Sequence, residues 1–380
     1  MLEVVIHTWE MVSRDALHGA SSRERQEFAD LGINQLWFMV PSRAMRLLQC
    51  RRSPAHSPFH AISTIAAVRT QVQHCLTVTW PCRKRFMQQI PALPLIYEFD
   101  RHLPPRATIK PGETIRVESE DALSGQIRAA GDRRDKSKVP YSNPVAGPIV
   151  VEGAQRGDYL AVTIHDIQSR DGQCSTYTGA PRQLTEWLGS DVPHGAHVCP
   201  IRDGQIFFSD TIAIPYTPML GCIGTAPDWG VPSTGPAGPH GGNMDLVEVA
   251  PGNTLFLPVF IPGGYLFLGD AHAAMGHGEL SATGLEMAAQ TTVTVDILRG
   301  SPLTGVRVEA PDYLMTVGTQ GTIERAIAEA YSRLILWMEA DYGWNRWQAY
   351  DLLTHVGTIS VGHYTSGTVG TKIDKRYLKR

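Results

Sequence analysis

The chain has 380 residues, of which 43% are hydrophobic and 19% charged, and its formal net charge is −3. This composition supplies enough apolar side chains for a buried core and has too little charge for a disordered chain or a coiled coil. Because no cationic excess is available to hold a phosphate backbone, we expect no nucleic-acid partner. No uninterrupted apolar run of about 18 residues occurs, so we expect no membrane partner. The first 30 residues carry six acids and no compact apolar block followed by a small-residue cleavage site, so we expect no standard export signal.

Cysteine spacing and turn-forming residues give two further expectations. The six cysteines show no short pairing such as Cys-x-x-Cys and are too few for a disulfide framework, which favours a reducing compartment, the cytoplasm. The 36 glycines and 26 prolines are spread without a period. Together they predict many short strands joined by tight turns.

The first 90 residues differ from the rest in charge and in glycine content. They carry 11 Lys or Arg against six acids, and only two of the 36 glycines. No hydrophobic period of 2 or 3.6 is clear there. We therefore interpret 1–90 as an atypical basic N-terminal extension that is not part of the fold, with Met87 near the natural start. A basic arm that binds a partner or acts as an organelle address is the alternative.

Downstream, three segments read as hairpins. Residues 107–119, 147–167 and 247–259 each contain apolar runs on both sides of a turn signal, such as Pro111-Gly112 in the first. Residues 256–268 are hydrophobic on both faces and should lie centrally in a sheet. Several such strands predict a β-sandwich or barrel, and we assign it to residues 91–310.

The last segment, 311–380, predicts a helical and α+β portion packed on that core. In 322–340 the apolar residues recur at helical spacing, and Gly343 closes the pattern. Asn345 is a plausible N-cap for a second, shorter helix that ends before Gly357.

The chemistry is concentrated between residues 120 and 290. The chain has no P-loop, dinucleotide fingerprint, Gly-x-Ser-x-Gly elbow or His-Glu-x-x-His motif. If Asp270 and His272 continue a strand, their i, i+2 spacing directs both side chains to one face, as two ligands of one metal require. His277 and Glu279 follow after a glycine-flanked turn. Such nitrogen and oxygen donors suit zinc or a similar divalent ion, although an Asp-x-His pair can also be a hydrogen-bonded strand end.

Four ordered blocks resemble the acetamidase/formamidase family. They are Ser-Asn-Pro-Val-Ala-Gly-Pro-Ile-Val-Val-Glu-Gly-Ala (142–154), Pro-Met-Leu-Gly-Cys-Ile-Gly-Thr-Ala-Pro (218–227), Gly-Pro-His-Gly-Gly-Asn-Met-Asp (238–245) and Leu-Gly-Asp-Ala-His-Ala (268–273). The resemblance also takes in 121–126 and 313–318, and it does not cover 1–90. It implies a mainly β fold, a jelly-roll-like β-sandwich with a smaller β or α+β portion, homo-oligomers, and hydrolysis of short aliphatic amides to a carboxylate and ammonia.

An amide is a poor electrophile, so a metal that polarises its carbonyl and activates water is a plausible mechanism. This leads to two sets of candidate residues. The metal-ligand candidates are Asp121, His240, Asp270 and His272, with Asp270 alternatively orienting an imidazole. The catalytic candidates are Glu152 or Glu279 as base, Asn243 as oxyanion donor and, much less favoured, Cys222 as nucleophile.

Two residues depart from the family pattern. Met275 stands where we expect Gln and His277 where we expect Asp, whereas Glu286 keeps the family's acidic position. A thioether cannot replace the hydrogen bonds of an amide, and imidazole for carboxylate changes the local charge. Two alternatives to a short-amide hydrolase therefore stay open. One is a diverged metal-dependent hydrolase of another linear amide or carbamoyl compound, and the other is a non-catalytic small-ligand binding protein.

Overall fold

A computed structural model describes residues 9–12, 38–41, 87–178, 182–190 and 195–379 of the chain. The predicted extension over 1–90 lies mostly outside these ranges. Within it, strands β1 (Trp9–Val12) and β2 (Phe38–Pro41) pair antiparallel and belong to a separate unit, residues 1–84. The second unit, residues 85–380, carries everything that follows.

The second unit consists mainly of strands. Its strands are β3 (Gln88–Ile90), β4 (Ala107–Ile109), β5 (Glu113–Ser119), β6 (Val145–Val151), β7 (Tyr159–Ser169), β8 (Gln173–Thr178), β9 (Gly195–Arg202), β10 (Gln205–Phe207), β11 (Ala213–Pro215), β12 (Met219–Thr225), β13 (Ala237–Gly238), β14 (Gly241–Asn243), β15 (Thr254–Pro258), β16 (Leu266–His272), β17 (Glu286–Met287), β18 (Ala289–Leu298), β19 (Arg307–Glu309), β20 (Tyr313–Thr319), β21 (Thr358–Val361) and β22 (Thr368–Asp374). Its helices are α1 (Arg182–Leu188), α2 (Ile323–Tyr342), α3 (Arg346–Val356) and a 3-10 turn, Lys375–Tyr377.

These strands form two sheets that pack on each other. One has nine strands in the order β21-β22-β20-β19-β15-β7-β18-β5-β3. The other has eleven, in the order β11-β10-β9-β8-β17-β16-β12-β14-β13, with β6 pairing β16 and β4 pairing β6. A single core cluster takes apolar side chains from both sheets, for example Ile115 and Val293 of the first and Leu220 and Leu268 of the second. The expected mainly β class with two packed sheets is confirmed.

The three predicted hairpins are wrong, although most of the predicted strands exist. β4 and β5 flank the turn at Gly112, yet β4 pairs with β6 in one sheet and β5 pairs with β18 in the other. β6 and β7 are divided between the sheets in the same way. In 247–259 only β15 is a strand. Alternation of apolar residues reports that a strand has a buried face, but it carries no information about the strand's partner.

Both C-terminal helices are confirmed. Helix α2 buries Ala330, Leu334 and Trp337 among other residues on one stripe, and Gly343 ends it in the left-handed conformation, with φ of 65°. Asn345 caps α3, and its side chain accepts hydrogen bonds from the backbone N–H groups of residues 347 and 348. Helix α3 buries Ala349 and Leu353, and its Trp347 is exposed to solvent.

The fold brings the sequence blocks of interest to the middle of the eleven-stranded sheet. There β16 lies between β12 and β17, and it is buried along its whole length. The glycine-rich β14 pairs with the other edge of β12. In the part of the chain that the structure describes, no helix combines the length and apolar character needed to cross a membrane.

Candidate active site

Strand β16 delivers two polar side chains into the core. Asp270 and His272 are each only 1% exposed, and Oδ1 of Asp270 lies 3.6 Å from Nε2 of His272. The predicted convergence of these two side chains is therefore present. Asp270 reaches it with φ of 54°, a conformation that non-glycine residues seldom adopt.

The neighbouring strands add two more carboxylates. Glu286 on β17 is the direct cross-strand partner of His272, and its Oε2 lies 3.2 Å from Nε2 of His272. Asp245 follows β14, and its backbone N–H donates to the carbonyl of Gly221 on β12. Both carboxylates are buried. The register of the sheet thus assembles the site from segments far apart in sequence.

Gly221 leaves the room that these side chains occupy. It lies between Leu220 and Cys222, which pair with Ala271 and Gly269, so it stands opposite Asp270. A Cβ at Gly221 would come within 2.6 Å of Asp245 Oδ1, 2.7 Å of Asp270 Oδ2 and 3.0 Å of His272 Nε2. Any other residue here would push these donor atoms apart.

Glu279 completes the acidic group from the loop after β16. Its side chain is buried, and its φ is 45°. It forms one compact triplet of possible metal ligands with Asp245 and His272, while Asp270, His272 and Glu286 form a second. We call these five residues the acid–histidine cluster.

Several atoms of the acid–histidine cluster lack a hydrogen-bond partner among the residues that the structure describes. They are Asp245 Oδ1, Asp270 Oδ1, Glu286 Oε2 and both ring nitrogens of His272. Leaving buried polar atoms unpaired is costly, and several carboxylates together need a positive partner. Two ligand atoms that bind the same tetrahedral zinc ion, each at about 2.0–2.1 Å from it, stand roughly 3.3 Å apart. The residues present therefore fit a divalent cation.

The electrostatics of the acid–histidine cluster also favour the binding of a cation. Burial, reinforced by the neighbouring acids, raises the pKa of Asp245 and of Glu286 well above the usual carboxyl range. Burial also raises the pKa of Glu279 to about 7. Burial opposes a charged His272 ring, but Glu286, Asp270 and Glu279 together outweigh it and raise its pKa well above the usual value. Without a cation the cluster would hold protons instead.

A polar cavity of about 260 Å³ opens onto this cluster, and Asp270, Glu279 and Glu286 line it. On its wall, Asn143 Nδ2 donates to Asn243 Oδ1 over 2.8 Å. Asn243 Nδ2 in turn donates to Asp245 Oδ2 over 2.6 Å. Asn243 therefore lies at the site, as expected, and one of its two amide N–H bonds orients a carboxylate. The remaining residues of the wall are Ala122, Leu123, Arg134, Ser142, Gly235, Ala282, Thr283, His363 and Ser366.

Two of the predicted metal ligands, Asp121 and His240, make other contacts in the structure. Asp121 Oδ1 accepts hydrogen bonds from the backbone N–H groups of residues 123 and 125, and Oδ2 pairs with Arg128 at 2.9 Å. It belongs to neither ligand triplet. His240 packs edge-on against Phe99 with ring centroids 4.8 Å apart, and burial lowers its pKa to about 4. The lowered pKa favours the neutral form of His240, and this residue belongs to neither ligand triplet.

Glu152, one of the two residues predicted as base, lies far from the acid–histidine cluster. It is exposed in the turn after β6, and its neighbour Val151 hydrogen-bonds the carbonyl of Gly263. Since β6 runs antiparallel to β16, this turn lies beyond the start of β16, while His272 is the last residue of β16. The length of β16 alone separates them by roughly 20 Å.

Cys222 is unsuited to nucleophilic attack. It is fully buried on β12, and its Sγ lies 3.6 Å from the carbonyl oxygen of Thr234. Burial, with Asp270 and Asp245 nearby, raises the pKa of its thiol well above the usual value. The thiolate, which is the nucleophilic form, is therefore disfavoured.

The two residues that depart from the family pattern lie beside the cluster. Met275 and His277 line a second cavity of about 520 Å³, which we call the apolar cavity. His277 Nδ1 lies 2.9 Å from Ser360 Oγ, and Ser360 Oγ also donates to Glu248 Oε2. His277 thus faces a different network and joins neither ligand triplet.

Comparison with known proteins identifies the family of the chain. A sequence model of the Acetamidase/Formamidase family matches residues 87–234 and 230–370. The chain belongs to the acetamidase/formamidase family. The matched region begins where the glycine-rich, strand-forming part of the chain begins, and it includes every member of the acid–histidine cluster.

Solved structures of the family share the fold. An acetamidase from Yersinia enterocolitica is 32% identical with a TM-score of 0.72, and the alignment covers 79% of this chain and 95% of that one. An acetamidase from Bacillus halodurans is 30% identical with a TM-score of 0.71, over 76% and 98% of the two chains.

The formamidase of Methylophilus methylotrophus is a curated relative, 28% identical over 256 residues, which are 52% of this chain and 62% of that protein. The chain thus spans less than two thirds of the length of this relative.

Asp245 and Glu286 are the cluster residues that the sequence analysis selected neither as metal ligands nor as catalytic residues. Both carried a signal. Asp245 ends the same glycine-rich block as His240, and Glu286 keeps the family's acidic position. The structure thus brings Asp245 of this block into the cluster, whereas His240 belongs to neither ligand triplet.

Proposed function

We propose that this protein hydrolyses amides to a carboxylate and ammonia, using a divalent cation held by the acid–histidine cluster. One observation carries the proposal. Beside the polar cavity lie four buried donor residues, Asp245, Asp270, His272 and Glu286, whose atoms include several with no hydrogen-bond partner in the described part of the chain. Membership of the acetamidase/formamidase family, and the names of the relatives, support an amidase that acts on linear amides.

These four residues would hold the cation, and zinc is the first ion to test because the set combines an imidazole with carboxylates. When bound, such an ion polarises a carbonyl and lowers the pKa of water. The buried carboxylates balance its charge, and Asn143 and Asn243 keep the Asp245 carboxylate in place.

Glu279 is the general base in this proposal. Its side chain lines the polar cavity, and burial brings its pKa to about 7, so it exchanges protons near neutral pH. It takes the proton of the attacking water and delivers it to the leaving nitrogen, which departs as ammonia. Arg134 and the second amide N–H of Asn243, on the cavity wall, are available to the carbonyl oxygen as negative charge develops there.

The test is ammonia release from formamide and acetamide by the full chain, before and after treatment with a chelator and with zinc added back. We expect release that is lost on chelation and restored by zinc. Release that is indifferent to chelation, at a confirmed metal content of zero, contradicts the role of the cation. No release from any amide by folded, zinc-loaded protein contradicts the amidase.

The expected homo-oligomer and the cytoplasmic location belong to this proposal as well. The support for the first is the family resemblance, and for the second it is the cysteine pattern. Light scattering of the purified protein measures the first, and fractionation of the source cells measures the second.

A further inference from the structure

The apolar cavity lies directly beside the polar cavity. Glu279 and Thr283 line both, so the two cavities meet at these residues. The apolar cavity is partly open to solvent and has a volume of about 520 Å³, against about 260 Å³ for the polar one. Pockets that bind small organic ligands enclose roughly 300–1,000 Å³ and are lined mainly by apolar side chains. The larger cavity has the size and the lining of a binding site for a carbon skeleton.

We propose that the apolar cavity binds the acyl group of the substrate, so that the preferred substrates are amides with an apolar acyl group larger than acetyl. This inference rests on the proposed amidase function. It adds the substrate class, because formamide has no carbon substituent on its carbonyl and acetamide has only a methyl group. Neither molecule would occupy the larger cavity.

The two cavities that meet at Glu279 and Thr283 differ in the chemistry of their side chains. Carboxylates and amide groups line the polar cavity, and they suit the amide group of a substrate. An apolar acyl chain placed in the polar cavity would contact charged oxygens, which is unfavourable. On the other side Phe208, Ile214, Met275, Leu280 and Leu285 form the apolar part of the wall, and His277 and hydroxyl side chains form its polar part. Glu279, the proposed base, lies between the two. A substrate whose amide faces the cluster can therefore extend its acyl group past Glu279 into apolar surroundings.

Two positions on this wall allow the cavity to be altered without touching the cluster. Met275 and Gln have similar shape, so Met275→Gln makes the wall polar at nearly constant volume. Gly276 has open space where a Cβ would stand, and its φ is not in the left-handed region, so Gly276→Leu fills the cavity. Leu336, exposed on α2, and Gly230, which also has open space, lie outside both cavities and provide the matched controls Leu336→Gln and Gly230→Leu.

The experiment measures kcat/KM for ammonia release by the zinc-loaded full chain with formamide, acetamide, butyramide, hexanamide and benzamide. Burial of one methylene is worth about fourfold. We expect hexanamide to exceed acetamide by at least about tenfold, since the cavity is partly open. We expect Met275→Gln and Gly276→Leu each to lower the hexanamide-to-acetamide ratio by about fivefold or more, and the two control variants to leave it unchanged.

The outcomes separate this inference from the proposed function. If short amides are hydrolysed but kcat/KM falls or stays level with chain length, the acyl site is overturned and the amidase stands. If both cavity variants keep the parental ratio, the acyl site is likewise overturned. If no amide is hydrolysed, titration calorimetry of hexanamide and acetamide decides. Tighter binding of hexanamide that Met275→Gln weakens supports the site, and equal or absent binding overturns it.

Discussion

Nε2 of His272 and Oε2 of Glu286 face each other across a β-ladder at 3.2 Å, and neither atom has a hydrogen-bond partner among the described residues. Two lone pairs at this distance repel unless a proton or a cation lies between them. The position of this pair is set by the fold, and its chemistry favours a bound proton or cation. The same register that pairs β16 with β17 creates a position that attracts positive charge.

Removal of the cation should destabilise the protein more at alkaline pH. Burial raises the pKa of Glu279 from its usual 4.5 to about 7, so the folded state binds the proton more tightly than the unfolded state. Its stabilising contribution is complete below pH 4.5 and is lost as the pH rises through 7, at a cost on the order of 3 kcal/mol. A bound cation offsets that loss. We expect a chelator to lower Tm more at pH 8 than at pH 5.5, and equal shifts would contradict this view.

Glu279→Gln should abolish most of the activity while the protein still binds metal. The amide keeps the shape of the side chain but cannot accept the proton, and general-base catalysis contributes roughly 10²- to 10⁴-fold. We expect kcat to fall by about 10²-fold or more, with zinc content unchanged. Glu152→Gln is the matched control, since that residue is exposed at the other end of β16, and its kcat should stay within about twofold.

Gly221→Ala should prevent cation binding. The new Cβ would stand 2.6–3.0 Å from Asp245 Oδ1, Asp270 Oδ2 and His272 Nε2, so those atoms would have to separate. We expect a protein that retains its β circular dichroism but carries little zinc and releases little ammonia. Gly230→Ala, where nothing lies within 4 Å of the added carbon, should behave as the parent does. Full zinc content in Gly221→Ala would show that the cation binds elsewhere.

Asn243→Ala separates a positioning role from an oxyanion role. The Asn243 amide donates to Asp245 Oδ2, and loss of such a hydrogen bond to a metal ligand typically costs 10- to 100-fold in metal affinity. We expect zinc affinity to fall by about that factor, measured by competition with a chelator, and excess zinc to restore part of kcat. Unchanged zinc affinity with a lower kcat would instead assign Asn243 to the oxyanion alone.

Cys222→Ala should leave ammonia release within about twofold of the parent. The thiol is buried, its pKa is raised, and it does not belong to the lining of the polar cavity. Small thiol-alkylating reagents should likewise leave the folded enzyme active. A loss of kcat beyond about tenfold at unchanged Tm and zinc content would return the thiol to the mechanism.

Local sequence patterns were sufficient to predict several elements of the fold and part of the candidate site. The helical period and the capping residues located α2 and α3 because a helix satisfies its hydrogen bonds within one segment. The i, i+2 spacing of Asp270 and His272 placed both on one face because strand side chains alternate. Glu279 was also found, from its place in the glycine-flanked loop next to that strand.

Tertiary structure decided the rest, since strand pairing joins residues that are remote in sequence. Asp245 and Glu286 reach His272 only through the pairings of β12 and β17 with β16. The same cause separates Glu152 from the site. Asp121, in contrast, finds its partners locally, in Arg128 and in the backbone N–H groups of residues 123 and 125. Alternation fixes which face of a strand is buried, but the partner of each strand depends on the packing of the whole sheet, and so does the identity of the residues that meet around one ion.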